Sequence, residues 1–261
     1  MKLSNLSWRY WVPFLGVTLL VAAVVFAGTR ERVSDEWTRS YPIEPGGRIE
    51  IVNVNGSIEA TPASGSKVEI VAQRVARAGS VESARELLAG TQMIEAVDAS
   101  RVRLEVKPGS PRGDVEVRVS VRVPKGVAVD LRTSNGAVVA AQLDSAVSAA
   151  TTNGGVRATG LASHEVTASA VNGTVEVSLA QPLAAADRVA ISTTNGRATL
   201  ELPSASLASV HARVRNGAID VDDAGLEWEV KSRTRVQGTL NGGGAQVKID
   251  AHNGAVEVTT S

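Results

Sequence analysis

The segment "TTNGGVRATG", Thr151–Gly160, sets an Asn-Gly pair between two short runs in which apolar and polar residues alternate. The pair recurs at Asn55-Gly56, Asn135-Gly136, Asn153-Gly154, Asn172-Gly173, Asn195-Gly196, Asn216-Gly217 and Asn253-Gly254. Six residues before each Asn stands a β-branched residue: Ile49, Val129, Val147, Val166, Val189, Val210 and Val247. Four before it the residue is always apolar (Ile51, Leu131, Ala149, Ala168, Ile191, Ala212, Ile249), as it is three and five after, for example Val138 with Ala140 and Val175 with Val177. The positions between are largely polar, as at Glu59, Arg157, Glu176, Asp220 and Glu257. A period of two with one apolar face marks a half-buried strand, so each unit reads as two short strands joined at an Asn-Gly corner. A tight corner calls for positive φ, which Gly enters freely and Asn tolerates.

Two arrangements have this parity. A series of type I′ hairpins places the same residues on one face. It would also bury the seventh residue after Asn, which is Pro62, Gln142, Gly160, Leu179, Leu202, Asp223 or Thr260, mostly polar or turn-like. Corners from Asn135 to Asn216 follow at 18, 19, 23 and 21 residues, the scale at which repeats stack as coils. Stacking sets Val on Val, Thr on Thr and Asn on Asn, with a hydrogen-bonded ladder of Asn side chains. The favoured fold is therefore all-β, a β-solenoid of single-stranded β-helix type. The 37 residues from Asn216 to Asn253 hold a degenerate coil, Trp228–Gly244, with Trp228 in the large inward place.

Asn55 and Asn135 are 80 residues apart, which marks an insertion. "RVRLEVK" (Arg101–Lys107) and "DVEVRVSVRVP" (Asp114–Pro124) alternate strictly around the loop "PGSPRG" and read as an antiparallel pair. "SVESARELLAG" (Ser80–Gly90) reads as a helix with an N-cap serine and a terminal Gly, packed over the first coils or capping an end. The chain divides into an anchor or signal segment with a short linker (1–36), an N-terminal β region with first coil and cap (37–128), and the repeats (129–261).

The succession "IEIVNVNGSIEA", helix, "VPKGVAVDLRTSNGAV", "TTNGGV", "TTNGRATLELP" and "VKIDAHNGAVEV" resembles the bacterial putative-adhesin family of β-strand-repeat proteins, a domain of unknown function, over about residues 47–261. The resemblance implies a solenoid β-fold, frequent membrane anchoring and no established reaction.

"YWVPFLGVTLLVAAVVFAG", Tyr10–Gly28, carries no charge and is close to the length of a bilayer-spanning helix. Lys2 and Arg9 precede it and favour a cytoplasmic N-terminus, against Arg30, Arg32 and Arg39 on the far side. Val25-Phe26-Ala27 also offers a signal-cleavage pattern. The expectation is contact with the cytoplasmic membrane through residues 10–28 and a C-terminal domain in the cell envelope, or secretion after cleavage.

Lys+Arg and Asp+Glu balance at 27 each, which argues against nucleic acid as partner, and the lack of cysteine excludes disulfides and thiolate chemistry. His164, His211 and His252 fall at different repeat positions, and no metal or cofactor spacing emerges. "IDVDDAG" (Ile219–Gly225) lacks the calcium-loop pattern, and the sequons at Asn55 and Asn172 fall on corners. No catalytic residue is assigned. Glu176, Asp220 and Glu257 share one outward column, the requirement of a polysaccharide-cleaving β-helix enzyme, although a solvated face explains them as well. Arg213, Arg215, Lys231, Arg233 and Arg235 form a candidate patch for an anionic partner, unless Asp220, Asp222, Asp223, Glu227 and Glu229 neutralise it. The resulting expectation is a non-enzymatic, envelope-exposed interaction surface or spacer with an unknown envelope protein or polymer as partner. The alternatives are a scaffold or sensor accessory in envelope stress and the polysaccharide-active enzyme.

Overall fold

The computed structural model describes residues 30–110, 113–221 and 225–261. The segment Tyr10–Gly28 lies outside them, and among the described residues no helix is long and apolar enough to cross a membrane. β1 (Glu31–Pro42), β2 (Arg48–Asn55), β3 (Ile58–Pro62) and β4 (Lys67–Ala78) lead to α1 (Val81–Gly90), followed by β5 (Gln92–Val97), β6 (Arg101–Lys107) and β7 (Asp114–Val123). Then come β8 (Ala128–Asn135), β9 (Val138–Ala141), β10 (Val147–Asn153), β11 (Val156–Leu161), β12 (Glu165–Asn172), β13 (Val175–Leu179), β14 (Arg188–Asn195) and β15 (Ala198–Leu202). β16 (Ala208–Val221), β17 (Leu226–Lys231), β18 (Arg235–Leu240) and β19 (Ala245–Thr260) complete an all-β chain with one short helix, its strands joined in one nearly closed sheet.

The two strands flanking a corner do not pair with each other. β10 lies parallel between β8 and β12, and β11 lies parallel between β9 and β13. A hairpin would pair β10 with β11 in antiparallel fashion, so the hairpin series is excluded. The columns are register partners: Val147 sits between Val129 and Val166, and Ala149 between Leu131 and Ala168. Val129, Val147, Val166 and Val189 are each at most 3% exposed, as are Val138, Val156, Val175 and Ala198 on the opposite line of strands. Each buried Val or Leu side chain contributes about 1.5–3 kcal/mol, and the two lines of strands bury their inner faces against one another.

Up to three interactions fix a corner to its neighbours. The Asn side chains form an unbroken ladder in which Asn135 donates Nδ2–H to Asn55 Oδ1 at 2.8 Å, Asn153 to Asn135 at 2.8 Å, Asn172 to Asn153 at 2.9 Å and Asn195 to Asn172 at 2.8 Å. Backbone bonds run the other way, from Gly136 N to Asn153 O at 2.8 Å and from Gly154 N to Asn172 O at 3.0 Å. Thr133, Thr151 and Thr193, buried two residues before Asn, donate their hydroxyls to the carbonyls of Gly56, Gly136 and Gly173 at 2.8–3.0 Å. Positive φ explains only part of the glycine requirement. Gly136 and Gly154 stand at φ +148°, but Gly173 and Gly196 lie outside the left-handed range. A Cβ on Gly173 would nevertheless fall 1.7 Å from Gly154 O, and one on Gly154 2.1 Å from Gly136 O. Coils approach at the corner more closely than any side chain allows.

Chain order and stacking order differ at both ends. β2 and β3 pair in parallel with β8 and β9 on one side and with β6 and β7 on the other. "RVRLEVK" and "DVEVRVSVRVP" are therefore not an antiparallel pair: the first lies on β2 and β5, the second on β3 and β4. They lie on the two opposite lines of strands, β6 parallel to β2 and β7 parallel to β3. β4 and β1 extend that side antiparallel, so residues 31–36, expected as linker, are the first half of β1, where Val33 is buried. α1 is capped by Ser80 Oγ, which accepts from Ser83 N at 3.1 Å, and it buries Ala84 and Leu88. It sits against β1 and β4 as an end cap.

At the far end β19 lies parallel between β14 and β16, and its second half also lies on β15. The ladder accordingly runs from Asn195 to Asn253 and then to Asn216, each step 2.8 Å. The expected degenerate coil is instead the antiparallel pair β17 and β18, added to the outer edge of β16. Leu226 takes the buried place there. Trp228 is half-buried against the core across from Gly238, where a Cβ would meet its ring at 2.7 Å.

Candidate functional site: the outer face near the last coils

β16, β18 and β19 alternate strictly, so inward Ala212, Val214, Val236, Val247 and Ile249 leave Arg213, Arg215, Arg235, Lys248 and Asp250 outside. Arg213 and Arg235 are direct antiparallel partners, and Arg213 faces Asp250 across the parallel pairing. Asp250 is engaged by Lys248 at 3.0 Å. Among the described residues no carboxylate ion-pairs with Arg213, Arg215 or Arg235. Arg235 reaches Gln237 Oε1 at 3.4 Å, and Gln237 donates to Glu229 at 2.5 Å. His211, Arg213, Arg235 and Lys248 line a depression of about 510 Å³, and a second of about 390 Å³ is bounded by Arg215, Asp250 and His252.

The structure thus divides the five expected cations. Arg213, Arg215 and Arg235 share one face. Arg233 lies in the turn whose carbonyl accepts from Ile219 N at 2.9 Å, and Lys231 stands over the Trp228 ring at 5.3 Å. Asp220 and Glu227 bond to none of these arginines among the described residues, and Asp222 and Asp223 lie outside them. Lys248, which completes the face, was missed because its place beside His211 depends on β19 entering next to β16.

Glu176, Glu257 and His164, among the other candidates, are held in structural contacts. Glu176 accepts from Arg157 at 3.0 Å and Glu257 from Arg197 at 3.2 Å. Glu257 is the register partner of Asp220, while Thr199 separates it from Glu176. His164 Nδ1 lies 3.1 Å from Asp187 Oδ1, and Asp187 also accepts from Ala184 N at 2.7 Å. The adjacent Ser163 hydroxyl donates to Glu165 O at 2.8 Å, so the contacts of this stretch fasten a loop. Among the described residues no group of three or more His, Cys, Asp or Glu could hold a metal ion. At the opposite end Tyr41 donates to Glu95, which Arg39 approaches at 3.6 Å; burial first, then that carboxylate, raises the Tyr41 phenol well above its usual range.

The model of the Toastrack DUF4097 family matches residues 89–259. No curated relative matches the chain. A putative cell adhesion protein from Clostridium sporogenes is similar in structure, with 13% identity, a TM-score of 0.48, 87% of this chain and 100% of that chain covered. A putative adhesin from Bacteroides fragilis shows 9% identity and a TM-score of 0.32, over 85% of this chain and 96% of that chain. With the family model spanning well over half of its 261 residues, the chain belongs to the Toastrack DUF4097 family.

Proposed function

We propose that the protein is a membrane-tethered β-solenoid that acts as a non-enzymatic, adhesin-like interaction surface in the cell envelope. The observation that carries this reading is the unbroken register of seven corners from Asn55 to Asn216, stitched by six side-chain bonds of 2.8–2.9 Å. Such a ladder stiffens the stack and leaves its broad outer faces as fixed contact surfaces. The uncharged run Tyr10–Gly28 would anchor it, with the stack outside the cytoplasm.

A reporter fused after Ser261 should be active only outside the cytoplasm, and cells displaying the full chain should attach to a host or wall surface better than cells lacking it. Reporter activity inside, or equal attachment, overturns the reading. Reproducible polysaccharide turnover by the purified chain, abolished by Glu176→Gln, Asp220→Asn or Glu257→Gln, would replace it with the enzyme reading.

A further inference from the structure

We propose that the outer face of β16, β18 and β19 binds an oxyanion-bearing polymer, its carboxylate or phosphate groups held by Arg213 and Arg235 and steered by Arg215 and Lys248. The proposal rests on the adhesin-like reading and adds the chemistry of the ligand. Like charges placed directly opposite across two strands repel, and Arg213 opposes Arg235 with no described carboxylate paired to either. The same outer face treats its arginines differently near β2 and β8. There Arg101 and Arg103 share Glu50, and Arg132 holds Asp130 at 2.7 Å.

A planar guanidinium presents paired donors that match an oxyanion, and two facing forks leave the site short of acceptors. Strand spacing of about 4.8 Å and a two-residue step of about 6.8 Å spread the cations on the scale of successive charges along a linear polyanion. The adjoining depression is open and spans three strands, which suits a chain held at several points better than a single small ion. β16, β18 and β19 contain no Phe, Tyr or Trp, so the face lacks the stacking platforms of single-stranded nucleic acid binders.

The test uses the full-length protein on a sensor surface with polygalacturonate, polyphosphate and neutral dextran as probes. Polygalacturonate or polyphosphate should bind and be displaced by salt, dextran should not, and the stronger of the two anions identifies the source of the oxyanion. Arg213→Glu with Arg235→Glu should weaken binding about 30-fold or more, whereas Arg85→Glu with Lys125→Glu, an equal charge change elsewhere on the surface, should change it less than about threefold. Thermal melts of both double variants should match the parent. Equal loss in both pairs, equal binding of dextran, or no anion binding at low salt would overturn the proposal. If cells displaying the Arg213→Glu, Arg235→Glu chain still attach like the parent, the ligand class falls while the adhesin-like reading stands.

Discussion

Between Ala128 and Leu202 the inward columns hold only Val, Ala, Leu, Ile and Thr, whereas Trp37, Tyr41 and Trp228, the aromatics of the described residues, all stand at the two ends. The middle coils meet copies of themselves, so one small residue repeated in register fills each layer and one Asn satisfies the next. The ends meet no copy. They close the interior with antiparallel strands, a helix and larger side chains, and they add charged contacts within the cap: Arg74 pairs with Asp35 at 2.6 Å and reaches the carbonyls of Leu88 and Thr91 at the end of α1. Repetition supplies complementarity in the middle; particular residues must supply it at the ends.

Five substitutions in the full-length chain sharpen or break that contrast, followed by chemical denaturation. Val166→Asp should cost more than about 4 kcal/mol, because it buries an unpaired carboxylate between Val147 and Val189. Gly173→Ala should cost about 3 kcal/mol or more through the close approach to Gly154 O, although its φ lies outside the left-handed range. Gly46→Ala, at φ +80° with open space around it, should cost about 1–2 kcal/mol. Equal costs for the two glycines would remove close stacking as the reason for the corner. Arg74→Ala should cost about 2–3 kcal/mol, with faster hydrogen exchange confined to α1, β1 and β4. If exchange rises equally in β10 to β13, the cap and the coils unfold as one unit and the division fails. Asn153→Gly should cost about 1 kcal/mol, since it removes two neutral side-chain bonds and leaves the backbone ladder intact.

The parallel register was legible because the strands repeat their residues at fixed distances from Asn, and register follows directly from such columns. Neighbour identity does not follow. Val247 fits beside Val189 as well as Val210 does, so the columns are silent on β19 entering between β14 and β16. The charged run Glu31–Glu36 read as linker because only Val33 marks it as strand, and its pairing with β4 is a contact far away in sequence. The glycines were recognised for a local reason, whereas the decisive one comes from the next coil. The cationic face was seen in outline, but the opposition of Arg213 to Arg235 required the antiparallel return of β18.

Strand β19 has the place of a keystone. It follows β14 and β16 along the chain, yet it lies between them, and Val189 and Val210 both rest on its Val247. β16 therefore cannot dock on the earlier strands until β19 has been synthesised. A chain that stops short of Ala245 leaves the edges of β14 and β15 open on one side and that of β16 on the other, and exposed parallel edges are templates for aggregation and targets for proteolysis. Synthesis of β19 is thus built into closure of the fold, so copies that lack it are distinguishable by shape alone from copies that have it.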